Sequence, residues 1–264
     1  MSEVPRYERI KVTVDGPVFA ITLAVPERRN AIGPRMANEL LDAIDRARSD
    51  DAIRVITLEG EGKVFCAGGD FAEMMSGAAP SSTEVPPRGD FADLLREMVR
   101  SVKPIVCKVN GHAMGGGLGL VAASTFAIAS SDAKLGTPEI DVGLFPMMIM
   151  AVLVRFVPRR RVLKMMLLGE RIDAAEAKAL GILNDAVPKD ELDAKVAELV
   201  GELTKKSPAA MRLGLRAFGA QDGMDLEESL PLLRERLGEC LGTDDAREGL
   251  MAFAEKREPV WTGK

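Results

Sequence analysis

A chain of 264 residues that is 47% hydrophobic and 28% charged has the material for one large buried core, or for a core with an appendage. A formal net charge of −5 gives no global attraction to nucleic acid or to anionic membranes, so an anionic ligand has to be met by a local group of cations. Three cysteines that cannot all pair and form no CxxC, with a single histidine, argue against a disulfide framework, a zinc site and a Ser-His-Asp mechanism, and place the expected location in the reducing cytoplasm.

In chain order, the first ten residues are polar and charged, with no apolar segment of a secretory signal. Tyr7 to Val14 alternates and, after Asp15-Gly16, Val18 to Leu23 alternates again, which predicts a β-hairpin. Pro26 to Ile32 reads as a loop carrying Arg28 and Arg29. Pro34 suits a helix start, and Met36, Leu40, Leu41, Ile44 and Ala47 keep helical spacing through Arg48. Ile53 to Leu58 is a strand, Gly60 to Lys63 a turn, and Val64 to Gly69 leads to a helix capped by Asp70, with Phe71, Met74 and Met75 as its apolar side. Gly77 to Gly89 is rich in Gly, Ala, Ser and Pro and predicts a mobile surface loop or lid. A helix face follows at Phe91, Leu94, Leu95, Met98 and Val99, then strands at Pro104 to Val109, Thr125 to Ala129 and Lys134 to Gly136. The longest apolar run, Val142 to Val154, contains Pro146 and falls short of the ~20 residues of a membrane span, so it reads as core or pocket lining. Beyond Met147 the pattern is mainly helical: Met147–Phe156, Arg159–Leu167, Ala174–Leu180, Lys189–Lys205, Pro208–Gly219, Leu226–Leu241 and Asp244–Lys256. Leu183 to Val187 is a short extended segment among them.

The stretch with the most chemical content is Val109-Asn110-Gly111-His112-Ala113-Met114-Gly115-Gly116-Gly117-Leu118-Gly119-Leu120. It reads as strand, tight glycine turn, helix. Glycine lets backbone N–H groups approach a ligand atom, and a helix start leaves its first N–H groups unpaired at the positive end of the dipole. Such a turn can hold a phosphate or a developing oxyanion, or it can be a glycine-packed corner. Its company is Phe65-Cys66-Ala67-Gly68-Gly69-Asp70 upstream and Gly136-Thr137-Pro138-Glu139 downstream.

These three stretches resemble those of the crotonase superfamily, the enoyl-CoA hydratase/isomerase family. Pro26 to Ala31, Leu168 to Ile172, Ala179 to Asn184, and Asp244 to Gly249 through Phe253 to Arg257 extend the likeness over nearly the whole chain. The resemblance implies an α/β fold: a spiral of strand–strand–helix turns over residues 1–200, carrying the CoA and acyl site, and a helical region over 201–264 for subunit contacts in a homotrimer or a hexamer of two trimers. It implies an acyl-CoA thioester as substrate, with coenzyme A part of the substrate and no separate cofactor or metal, and neither nucleic acid nor membrane as partner. It places two oxyanion donors at the backbone N–H groups of Gly69 and Gly116 and a proton-transferring carboxylate at Glu139. Around CoA it places Arg28, Asn30, Ala31, Ala67, Gly68 and Asp70, with Phe253 and Lys256 from the C-terminal helix, often of a neighbouring subunit. Asp70 reads first as a helix cap, and His112 as structural.

One departure from the pattern bears on chemistry. Hydratases of this family carry a second glutamate three residues after the second oxyanion glycine, and here that position is Gly119. A single base can move a double bond by removing a proton at C2 and returning it at C4. Relatives resembling the Δ3,Δ2-enoyl-CoA isomerases keep only the glutamate matching Glu139. Dienoyl isomerases and aryl-CoA dehalogenases place an aspartate near Pro146 to Met150, where this chain has none. The expected activity is enoyl-CoA isomerisation. A hydratase using water in the space beside Gly119, and a CoA-ester-binding protein without turnover, are the alternatives.

Overall fold

The computed structural model describes residues 5–77 and 84–264. The expected lid at Gly77–Gly89 therefore falls in part, at residues 78–83, outside the described residues.

The chain opens with an antiparallel pair, β1 (Ile10–Asp15) and β2 (Val18–Leu23), turned at Gly16 with φ 51°. Their alternating burial puts Phe19, Ile21 and Leu23 on the core side. Helix α1 (Pro34–Ser49) crosses back over the sheet and buries Met36, Leu40, Ala43, Ile44 and Ala47. Strand β3 (Val55–Gly60) then lies parallel to β2. From here the chain repeats one move. A long strand enters the six-stranded sheet, a short strand enters a four-stranded sheet, and a helix returns. The first turn is β3, β4 (Val64–Cys66), α2 (Phe71–Met75) and α3 (Phe91–Val99). The second is β5 (Ile105–Val109), β6 (His112–Met114) and α4 (Gly116–Ala123). The third is β7 (Phe126–Ser130), β8 (Lys134–Gly136), a 3-10 turn at Pro138–Val142 and α5 (Met147–Leu153).

Helix α6 (Arg159–Leu168), β9 (Arg171–Asp173), α7 (Ala174–Ala179) and β10 (Asp185–Val187) close the two sheets, whose orders are β1-β2-β3-β5-β7-β10 and β4-β6-β8-β9. Strand β5 is buried except at Lys108, as a central parallel strand covered on both faces should be. On one face α8 (Leu192–Thr204) packs Leu192 and Val196 against Val55, Val106 and Ile128. On the other lies the main core, through which α4 runs with Leu118, Leu120 and Val121 buried on all sides. Helices α9 (Pro208–Ala220), α10 (Leu226–Leu241) and α11 (Asp244–Glu255) follow and pack chiefly on one another.

Three expectations are corrected. The glycine stretch after β5 contains a further strand, β6, whose three residues are too few to show a period. Helix α2 has no apolar side turned inward: none of its residues is buried, and Met75 is 88% exposed. The described end of the expected lid is held down, with Val85 fully buried. There Asn38 of α1 donates to Pro86 O at 3.0 Å and accepts from Arg88 N, and Arg88 pairs with Asp42. Among the described residues no helix is long and apolar enough to cross a membrane.

Candidate active site

Strands β4, β6 and β8 are neighbours and parallel, so the three segments that leave their C-terminal ends emerge side by side. Gly69 follows β4, Gly116 follows β6 and Glu139 follows β8, each within three residues. Parallel α/β sheets place ligands at such strand ends.

The peptide unit is planar and trans, so a bonded carbonyl fixes the opposite direction of the N–H in the same unit. The Gly68 carbonyl accepts from Ile32 N at 2.7 Å, and Asp70 N donates to Ile32 O at 2.9 Å. The Gly69 N–H is thereby aimed away from Ile32. Likewise the Gly115 carbonyl accepts from Gly119 N at 3.0 Å inside α4, so the Gly116 N–H points out of the helix start. Neither N–H has a partner among the described residues. The two loops touch: a Cβ on Gly116 would lie 3.8 Å from Gly68 C, and one on Gly68 would lie 3.3 Å from Met114 O. Gly68, at φ 110°, and Gly115, at φ 49°, hold backbone conformations that side chains disfavour.

Glu139 leans on this turn. Its Oε1 would lie 2.6 Å from a Cβ on Gly115, which is why glycine is required there, and its Oε2 is buried with no partner. Burial raises the carboxyl above its ordinary value, opposed only by a backbone hydrogen bond. Thr137, two residues earlier, also has a fully buried hydroxyl with no partner. Beside the turn, Cys66 is buried with its thiol pushed up to about 12, so it packs as a neutral group.

The space at Gly119 is closed. A Cβ there would meet Phe91 Cζ at 3.2 Å, Ile149 Cγ1 at 3.3 Å and Leu95 Cδ2 at 3.5 Å. The room for water expected at this position is filled by apolar side chains. Asp141 is exposed, and its carboxylate lies against Gly169.

The loop expected to hold CoA adjoins the Gly69 segment. Asn30, fully buried at φ 54°, accepts from Val25 N at 3.0 Å and donates to Glu61 O, Val64 O and Phe65 O. Its side chain is thus committed to holding the loop, and what it can offer a ligand is main chain. Ala67 N donates to Arg29 O at 2.9 Å and Ala31 N to Arg28 O at 3.2 Å. Asp70 caps α2 by accepting from Glu73 N at 3.0 Å and pairs with Arg28 at 2.5 Å. Phe253, 86% exposed, and Lys256, at the end of α11, are tied to these loops by no hydrogen bond or ion pair among the described residues. His112 is structural: its Nδ1 accepts from Lys134 N at 3.0 Å. Sequence reading gave no site role to Gly115, Ile32 or Phe91, and held Ile149 only within the Val142 to Val154 run read as core or pocket lining. A glycine just before Gly116 was a visible sign of the first, whereas the others act through contacts that no local pattern announces.

The model of the enoyl-CoA hydratase/isomerase family matches residues 13–264. The chain belongs to this family. It is 34% identical over 263 residues to a carnitinyl-CoA dehydratase of Salmonella heidelberg, covering 97% of this chain and 99% of the other. The "Probable enoyl-CoA hydratase" of Bacillus subtilis is 34% identical over 259 residues, covering 97% and 99%. Among solved structures, an enoyl-CoA hydratase of Mycobacterium smegmatis superposes with a TM-score of 0.88 at 30% identity, covering 96% of this chain and 99% of that one. The crotonase fold and an enzyme acting on acyl-CoA thioesters follow from family membership. Among the described residues no three His, Cys, Asp or Glu are grouped to hold a metal ion.

Proposed function

We propose that this enzyme moves a double bond within an enoyl-CoA thioester, using Glu139 as its only base. The observation that carries the reading is the Glu139 carboxylate, with its Oε2 buried and unpartnered and its Oε1 against Gly115, while Phe91, Leu95 and Ile149 close the space at Gly119 where a second carboxylate would stand. The thioester oxygen accepts from the N–H groups of Gly69 and Gly116. Glu139 removes a proton from C2 of a 3-enoyl group, and the electron pair spreads over the dienolate to the thioester oxygen. The same carboxyl then returns the proton to C4, leaving a 2-enoyl thioester with atoms and charge unchanged. Preorganised donors at a developing oxyanion contribute about 3–4 kcal/mol each to lowering such a barrier. A base with a raised pKa binds the travelling proton well enough to carry it between two carbons. Coenzyme A enters as part of the substrate, held by main chain at Asn30, Ala31, Ala67 and Gly68 and by Arg28 beside Asp70, and no further cofactor takes part. Phe253 and Lys256 reach CoA from a neighbouring subunit of a homotrimer or of a hexamer of two trimers.

The names of the relatives favour a second reading, hydration of a 2-enoyl thioester. A paired assay separates the two. A 3-enoyl-CoA should be converted without change of mass, and a 2-enoyl-CoA should gain no water. Rapid gain of water by the 2-enoyl ester would overturn isomerisation in favour of hydration. Binding of both without turnover would leave a CoA-ester-binding protein.

A further inference from the structure

The oxyanion donor Gly69 sits at the front of α2, and no buried apolar side chain holds that helix in place. It has five residues, and none of them is buried. Isolated helices below about 12–15 residues are marginal in water, so a single exposed turn needs another anchor. The anchor is polar. Glu73 occupies the third position after the Asp70 cap, where a capping box would turn its carboxylate back to the Asp70 N–H. It turns instead to a different helix. Its Oε1 accepts the N–H of Arg35 at 3.0 Å, in the first turn of α1.

Helix α1 has no cap of its own at that end. Its N-cap is Gly33, which brings no side chain. A Cβ on Gly33 would fall 2.5 Å from the Glu73 carboxyl carbon, so glycine there gives the carboxylate its approach. The negative charge faces the positive end of a sixteen-residue helix. Arg9 stands behind it, with Nη2 3.9 Å from Oε2, and the Glu73 side chain is only 10% exposed. Arg35 is itself held from the far side by an ion pair with Glu8.

The same two segments aim the donor. Ile32, adjacent to Gly33, holds the Gly68 carbonyl and the Asp70 N–H, and the Gly68 carbonyl sets the direction of the Gly69 N–H. Glu73 extends this two-bond ladder by a third rung, from α2 to the start of α1. We infer that Glu73 is a positioning residue: by capping α1 from across the fold it fixes α2 against Ile32 and so fixes the aim of the Gly69 N–H. This rests on the thioester reading of the site.

The test uses the whole protein and three variants: Glu73→Ala, Glu73→Gln, whose amide oxygen can still accept from Arg35 N, and Gly33→Ala, which pushes the carboxylate away without removing it. The probe is a conjugated 2,4-dienoyl-CoA, whose absorbance shifts to the red when donors polarise its carbonyl. Free CoA, bound only by the cradle, serves as control. Expected for Glu73→Ala and Gly33→Ala are a largely lost red shift, unchanged affinity for CoA, and kcat on a 3-enoyl-CoA reduced about 10-fold to 100-fold with KM little altered. Glu73→Gln should regain most of both. A red shift that survives in Glu73→Ala overturns the positioning role, as does a loss that merely follows lost CoA binding or lost folded protein. Wild-type protein that binds no acyl-CoA overturns the thioester reading itself, so the two failures are told apart.

Discussion

At the scale of single residues the site is defined by a group placed against its own stability. The Glu139 Oε2 is buried without a donor, and burial raises its carboxyl above the ordinary value. A carboxyl whose folded pKa exceeds its unfolded one supports the fold below the unfolded pKa, and that support disappears as the pH rises through the folded pKa. At neutral pH this buried carboxyl group is therefore a net cost to the folded state. Glu139→Gln should make the protein more resistant to urea at neutral pH and no more resistant below about pH 4, where the carboxyl is protonated in both states. The same change should lower turnover of a 3-enoyl-CoA by about 10²–10⁴-fold. Urea melts at the two pH values with kinetics on the same preparations test this. Equal stability at neutral pH would show that Glu139 finds a partner in solution, and undiminished turnover would remove it as the base. In wild-type enzyme the acid limb of kcat/KM should fall above the usual glutamate range, because only the ionised form accepts the C2 proton.

At the scale of elements, what the sequence disclosed followed the length of each pattern. The hairpin, α1, the central strands and the C-terminal helices carry enough residues for a period of two or of 3.6 to show. Strand β6, three residues inside a glycine-rich stretch, carried none, and neither did the 3-10 turn that presents Glu139. The resemblance grouped Gly69, Gly116 and Glu139, and the adjacent strand ends of β4, β6 and β8 are what bring their segments side by side. What stood beside Gly119 was not legible, because Phe91 and Ile149 arrive from α3 and α5 through packing alone. That packing makes a prediction about the helices. Gly119→Glu, which restores the residue type of hydratases, would drive a carboxylate into Phe91, Leu95 and Ile149. Overpacking and burial of charge together should cost about 3 kcal/mol or more in urea unfolding, with no gain of hydration. Adding Phe91→Ala should recover part of that loss. If Gly119→Glu alone is stable and hydrates a 2-enoyl-CoA, the apolar wall yields and does not decide the chemistry.

At the scale of the molecule, the C-terminal helices have an inner and an outer account. Inside, Asp245 is almost fully buried, accepts from Ser207 Oγ, Thr262 N and Gly263 N, and fastens the chain's end across α9. Outside, α10 exposes Leu226, Leu230, Leu237 and Leu241 by 57–65% along one stripe, and Phe253 on α11 is 86% exposed. Isolated apolar residues on a surface need no explanation, but a stripe of four leucines is the kind of surface on which proteins associate. The trimer proposed above would give the cover and would bring Phe253 and Lys256 of one subunit to the CoA loop of another. Light scattering on the native protein should then give three or six times the 28.4 kDa chain mass. Leu230→Glu combined with Leu237→Glu should reduce it to one chain. These residues lie outside the loops that carry Gly69, Gly116 and Glu139, so the single chain should keep its folded core while its affinity for CoA falls. A native protein that is already a single chain, or a dissociated variant with undiminished CoA affinity, would place Phe253 and Lys256 outside the site.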